Sequence, residues 1–293
     1  MKKIVATVLA MMMVTSLIAC GEAKKDDNND KSGGKTENSG SQIDFEEVLV
    51  VDNEECTIKI TGIEEEAFWG NTLKVYVENK SEDKTYMFAV QNASVNGVET
   101  DPLFSAEIAA GKKANEEMHF MDSTLEENGV GKFTDIEITF RVYDSNDWLA
   151  EEVAIETVHI YPYGEEKAET FVREEQESDI VLVDNESVKV VVVGCEKNET
   201  WGYQVEMFLV NKTDANVMFS TDEVSVNGFM VNPLFATDVS AGKCTFSNMT
   251  IFESDLEENS IKDVTDIEFM IRAYDADNWD AEDFVNQKVT LNP

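Results

Sequence analysis

The chain is 293 residues long and carries 60 acidic residues against 23 Lys and Arg, a formal charge of −37 at neutral pH. Such a field repels phosphate backbones and anionic lipid headgroups, which argues against nucleic acid as a partner and against membrane binding through a basic patch. Hydrophobic residues at 42 % and aromatic residues at 9 % still supply the apolar surface of packed domains, so most of the acid forms a solvated exterior.

Lys2 and Lys3 precede an uncharged, proline-free run from Ile4 to Ala19. A bilayer span takes about 20 apolar residues, so residues 1–19 read as a secretory signal peptide and not as a spanning helix. The last residues of the run, Leu17-Ile18-Ala19-Cys20, resemble the lipobox of bacterial lipoproteins. The resemblance implies cleavage after Ala19 and a diacylglyceryl thioether on Cys20. Two acyl chains suffice for stable anchoring, which places the protein outside the cytoplasm on the bacterial cell membrane. Residues 21–42 have no aromatic side chain and one apolar side chain besides glycine. They cannot offset the entropy of ordering, and 20–43 therefore reads as a lipidated cysteine and flexible tether with a reach of about 25 Å.

The remainder is a repeat. Val51–Glu54, Gly62, Trp69–Gly70 and Asn79–Lys80 recur 132 residues later as Val183–Glu186, Gly194, Trp201–Gly202 and Asn211–Lys212. After one deletion the offset becomes 131: Ser94–Gly97, Pro102–Phe104, Ala110–Lys112, Leu125–Asn128 and Thr134–Glu137 return as Ser225–Gly228, Pro233–Phe235, Ala241–Lys243, Leu256–Asn259 and Thr265–Glu268. Two modules of ordinary domain size follow, 44–163 and 179–293, with a Glu-rich linker at 164–178.

Each module reads as all-β. Ile58 and Ile60 alternate with Lys59 and Thr61, Leu73, Val75 and Val77 with Lys74 and Tyr76, and Ile136, Ile138, Phe140 and Val142 with Glu137, Thr139 and Arg141. Period-two runs of this kind are half-buried strands, and Val-Asn-Gly and Ala-Gly-Lys are turn signals. Ser123–Glu126 predicts a short helical turn. Seven or eight short strands per copy, with no long helix, predict two tandem immunoglobulin-like β-sandwiches.

A Trp-Gly opening a strand that ends in Asn-Lys, then Ser-Val-Asn-Gly, Ala-Gly-Lys and the strand Thr134–Asp144, resembles the telokin-like or immunoglobulin-like domains of lipid-anchored surface proteins from Gram-positive, clostridia-type bacteria. The resemblance covers both copies. It rests on turns and strands and implies no catalytic residue.

Besides Cys20, the cysteines are Cys56, Cys195 and Cys244, none of which matches another across the repeat. Free, mostly buried thiols are expected, with a Cys195–Cys244 bridge as the alternative. His119 and His159 are replaced by Thr250 and Thr290 in the second copy, and His159, between Val158 and Ile160, is expected on the solvent face. No histidine is placed beside a serine or cysteine, and no phosphate loop, CxxC or HExxH motif occurs. The reading is therefore non-enzymatic, although 60 acids leave paired carboxylates open. Trp69 and Trp201 share strand parity with apolar neighbours and are expected in the core.

The remaining candidate is the segment Val142–Glu152, which returns as Ala273–Asp283. Three readings apply to it. It is a hairpin whose Trp148 or Trp279 folds over the sandwich edge, a protein or glycan contact patch formed by Trp148, Trp279, Tyr143 and Tyr274, or a calcium loop built on Asp275, Asp277 and Asp280. The alternate aspartates suit calcium, but the glycine of a calcium-loop turn is missing. No cofactor other than this calcium candidate is implied.

These features predict a lipid-anchored surface protein that binds a protein or glycan by non-covalent recognition. A solute-binding lipoprotein, a cell-wall hydrolase accessory and a structural spacer are the rival readings.

Overall fold

The computed structural model describes residues 41–293 apart from Phe68, Trp69, Asp122, Trp148, Glu199 and Trp279. The signal peptide, Cys20 and nearly all of the tether thus lie outside the described residues. The chain from Asn38 to Pro293 is one compact unit.

Its strands are, in order, β1 Ser41–Gln42, β2 Val48–Asp52, β3 Cys56–Ala67, β4 Gly70–Asn79, β5 Tyr86–Val95, β6 Val98–Glu99, β7 Ser105–Ile108, β8 Lys113–Phe120, β9 Ile136–Asp144 and β10 Ala154–Ile160. After a 3-10 turn at Glu165–Lys167 follow β11 Ile180–Asp184, β12 Val188–Asn198, β13 Gly202–Asn211, β14 Val217–Val226, β15 Phe229–Met230, β16 Ala236–Val239, β17 Cys244–Phe252, β18 Ile267–Asp275 and β19 Val285–Leu291. The two helices among the described residues are α1 Ser123–Glu127 and α2 Glu253–Glu258. They occupy matching places in the two copies, and α1 falls on the expected helical turn.

The fold is an all-β sandwich architecture. In the first half, β1 to β4 and β8 form one sheet, and β5, β6, β7, β9 and β10 pair in another. In the second half, β11, β12, β13 and β17 pair on one side and β14, β15, β16, β18 and β19 on the other. Inward residues of the first half, among them Ile58, Ile60, Val75, Phe88, Ile138 and Phe140, form one buried cluster. Val190, Val205, Leu209, Phe219, Phe269 and Ile271 belong to a second. Alternation drives this arrangement, since β9 and β18 bury every second side chain along their length.

The residues that recur in both halves are mostly latches. Asn96 and Asn227 sit at φ 52° and 50°, followed by Gly97 and Gly228 at 84° and 83°, the signature of a tight I′ hairpin turn. The Asn96 side-chain oxygen accepts from the Thr134 and Asp135 amides at 2.9 and 3.0 Å, and Asn227 accepts from Thr265 and Asp266 at 3.0 and 3.1 Å. Asn79 donates to the Lys84 and Ile108 carbonyls, both at 2.8 Å, and Asn211 to Ala215 and Val239 at 2.7 and 2.9 Å. Lys80 pairs with Asp52 and Lys212 with Asp184. Gly70 and Gly202 both hold positive φ, and a Cβ there would strike the carbonyls of Phe120 and Ile251, which explains the recurring glycine of the Trp-Gly pair.

One expectation is overturned. Trp201 is 58 % exposed. Strand β13 begins only at Gly202, whose φ of 111° turns the chain, so the parity of Val205, Met207 and Leu209 does not extend back to the tryptophan. Trp69 lies outside the described residues.

Candidate functional site: the cleft between the sandwiches

The two halves are joined by a strand pair. β6 lies parallel to the start of β17, with Val98 opposite Cys244, so the inner sheets of both halves merge into one nine-stranded sheet. The Cys244 amide donates to the Gly97 carbonyl at 3.0 Å. The Ser240 amide donates to Glu99 Oε1 at 2.7 Å, and Lys243 forms an ion pair with Glu137 across the junction.

Side chains that would face solvent on an isolated sandwich fill this junction. Val191, Phe208 and Cys244 belong to the first half's core, with Val193, Val210 and Phe246 packed against it. Strand β12 is therefore apolar on both faces, and Val190-Val191-Val192-Val193 reads as a continuous run where β3 alternates. The segment expected as a linker also packs here. Phe171 meets Phe208 and Phe246 edge-on at 6.3 and 6.2 Å, and Phe208 and Phe246 lie 4.9 Å apart. Arg173 holds Asp179 with two bonds of 2.6 and 2.8 Å and lies 5.9 Å over the Phe208 ring. That guanidinium keeps the Asp179 carboxyl below the usual range.

Beside the strand pair lies a cleft of about 640 Å³ to which both halves contribute. Gln91, Asn92, Glu99 and Asp101 line one side, and Thr237, Asp238, Ser247 and Phe246 the other. The Asn92 amide reaches Ser240 Oγ at 3.4 Å, and Thr237 and Ser247 share a hydroxyl bond of 2.6 Å. Burial raises the Glu99 carboxyl, reinforced by the charges of Asp238 and Asp101 and opposed by the bonds from Ser240. Asp238 is raised by burial first and by Asp277 next. The wall thus offers amides, hydroxyls and two reluctantly ionised carboxyls, with an aromatic edge at Phe246.

The segments singled out in the sequence lie elsewhere. Tyr143 and Tyr274 are half-buried, with Arg141 4.6 Å over one ring and Arg272 5.0 Å over the other. Each arginine is fixed by an acid two residues ahead of the returning strand. Arg141 donates to Glu152 at 2.8 and 2.6 Å, and Arg272 to Asp283 at 3.0 and 3.1 Å. Both copies thereby show the same pinned hairpin. Trp148 and Trp279 are outside the described residues.

The calcium candidate is not assembled. Asp275 Oδ1 accepts from the Asp277 and Asn278 amides at 2.9 and 3.0 Å, an Asx turn that uses the carboxylate to hold the loop. Asp277 accepts from Asn216 at 3.0 Å. No group of three acidic, histidine or cysteine side chains among the described residues is arranged to hold a metal, so Asp275, Asp277 and Asp280 do not converge.

Neither histidine reaches the cleft. His119 Nδ1 bonds Thr72 at 3.0 Å, and exposed His159 bonds Asp135 at 2.9 Å. The described thiols are free, including Cys195 and Cys244. Burial pushes Cys56 up to about 11 and Cys244 up to about 12, values that leave almost no thiolate at neutral pH.

The cleft was missed from the sequence, although a signal for its junction existed. Val191, Val193, Phe208, Val210 and Phe246 stand where the first copy has Lys59, Thr61, Tyr76, Glu78 and Asn115.

No protein-family model matches the chain, and no curated protein does. Among solved structures, a YadV chaperone is similar at 13 % identity, covering 75 % of this chain and 92 % of that chain, with a TM-score of 0.24. The exo-chitosanase CsxA of Amycolatopsis orientalis is similar at 13 % identity over 79 % of this chain, with a TM-score of 0.25. This chain spans 26 % of that enzyme's length. Scores at this level carry no functional argument.

Proposed function

We propose that the chain is a lipid-anchored, extracytoplasmic binding module that takes its ligand non-covalently in the cleft between the two sandwiches. The observation that carries this reading is the cleft's construction. A space of about 640 Å³ is bounded by two sandwiches held in register by strand pairing, hydrogen bonds and the Lys243–Glu137 ion pair. A mouth rich in amides, hydroxyls and carboxyls beside one aromatic edge suits a polyhydroxylated ligand, neutral or cationic, such as a glycan. The surrounding negative field opposes anionic ones. Recognition without catalysis agrees with thiols raised by burial and histidines committed to partners outside the cleft. The lipobox resemblance at Leu17–Cys20 and the tether support the anchored location, and the resemblance to surface-protein domains supports the same class of role.

Titration of the compact unit, residues 38–293, with neutral and amino-sugar oligosaccharides tests the reading. Saturable amide shifts at Gln91, Asn92 and Asp238, reduced at least tenfold in affinity by Asn92→Ala and Asp238→Ala, are expected. Binding confined to the Tyr143 and Tyr274 hairpins, or none across the series, contradicts it.

A further inference from the structure

Each sandwich carries the same Val-Asn-Gly hairpin, and among the described residues only one of the two is covered by a further strand. In the first, β5 turns through Asn96 and Gly97 into β6, which lies against β17, and Val98 is 1 % exposed. In the second, β14 turns through Asn227 and Gly228 into β15, the end strand of its sheet among the described residues. At the positions of Val98 and Glu99 stand Phe229 and Met230, 49 % and 65 % exposed. The uncovered copy therefore carries the larger and more apolar pair. Open sheet edges template pairing and are ordinarily blunted by shortness, charge or proline; β15 is short, but it carries neither charge nor proline, and its two adjacent apolar side chains are exposed.

We infer that the β15 hairpin, Asn227–Met230, docks a partner protein that presents the outward apolar face of a β-sandwich and pairs a strand with it. The chemistry of that partner is written in the internal junction. There Val98 of the hairpin shares one buried cluster with Val191 and Phe208, against which Phe246 packs, and the covering strand donates an amide to the turn glycine's carbonyl, Cys244 to Gly97 at 3.0 Å. The Gly228 carbonyl is the equivalent acceptor, and Phe229 and Met230 are the side chains to be covered.

A second copy of the chain fits poorly. The first sandwich, the only one whose matching outer face is not already used in the junction, offers Lys59, Thr61, Tyr76, Glu78 and Asn115 there, and Lys59 is ion-paired to Glu47. A bilayer also fits poorly, because Asp263 and Asp266 adjoin the turn through their bonds with Asn227 and repel anionic headgroups. Strand addition to an exposed edge is an established mode of protein recognition.

The test uses the covering strand as probe, a synthetic peptide of residues 241–250 with Cys244→Ser, titrated into the unit 38–293. Saturable amide shifts at Gly228, Phe229 and Met230 that exceed those at Gly97 to Glu99 are expected. Affinity should fall at least tenfold in Phe229→Asp and in Met230→Lys, each checked for an unchanged unfolding midpoint. Absence of a saturable shift at the hairpin, or shifts indifferent to both substitutions, overturns the inference. So does concentration-dependent dimerisation in sedimentation equilibrium that Phe229→Asp abolishes, which would assign the hairpin to a second copy. Vesicle co-sedimentation lost in the same variant would assign it to lipid and overturns the inference equally.

Discussion

Replacing Phe208 by Ala tests whether the outward face of β13 is an interior surface. Phe208 is 8 % exposed, lies 4.9 Å from Phe246 and 6.3 Å from Phe171, and sits under Arg173. Truncating a buried phenylalanine costs about 3–5 kcal/mol. The slight exposure and the room for Arg173 to settle place this site near the lower end, about 3 kcal/mol. The matching residue of the first copy, Tyr76, is half-buried on the polar face, bonded to Glu78 at 2.6 Å and 6.0 Å from the Lys59 ammonium. Tyr76→Ala removes no closed packing and is expected to cost at most about 1 kcal/mol. Urea unfolding of both variants reads the difference. With a slope of about 3 kcal/mol per molar, Phe208→Ala lowers the midpoint by about 1 M and Tyr76→Ala by a third of that or less. Equal costs at the two sites would mean that the second sandwich's outer face is as solvated as the first's and that no junction closes over it.

Other consequences concern charge, metal and thiols. The Arg173–Asp179 pair is partly shielded and doubly hydrogen-bonded, so Asp179→Ala is expected to cost about 1–2 kcal/mol at pH 7. Because the folded Asp179 carboxyl is depressed, this stability is present above the ordinary carboxylate range and is lost as pH falls through the folded value, which thermal melts from pH 7 to 3 would show. Glu99 is raised, so its sign is opposite. Stability falls as pH rises from the ordinary carboxylate value through the folded one, and Glu99→Gln should raise the melting temperature at pH 7 with a gain that vanishes in acid. Asp275→Ala removes an Asx turn and should cost about 1 kcal/mol, with the same loss in calcium and in chelator. A melting temperature that rises with calcium only in the unsubstituted protein would restore the metal-loop reading. Native-state alkylation should leave Cys56 and Cys244 unmodified until the chain is unfolded, and rapid reaction of either would contradict their burial.

The strands were legible because alternation is a local property. Ile136 to Val142 fixes which face of β9 is inside whatever lies beyond it, and the Asn-Gly dipeptides fix their turns through positive φ alone. The junction was less legible because it depends on what covers a face. Alternation marks Val191 and Phe208 as outward, and only comparison with Lys59 and Tyr76 shows that outward here means buried. The strand parity of Trp201 misled because it assumed that the strand continued through Gly202. The acids of the calcium candidate misled in a different way. Their spacing is right for a loop, but an Asx turn uses the same residues at the same spacing, and only backbone geometry separates the two. The cleft rests on residues that are unremarkable in sequence, such as Asn92 and Thr237, which gain meaning when two halves separated by more than a hundred residues meet.

A cleft persists between the two sandwiches only if their junction stays closed. Amide hydrogen exchange at Cys244 and Ser240, whose N–H groups bond Gly97 and Glu99 across that junction, tests that closure most directly. Protection within tenfold of that in the core strands β9 and β18 is expected. Exchange at the rate of an open strand edge would mean that the sandwiches separate freely and that no lasting cleft exists between them.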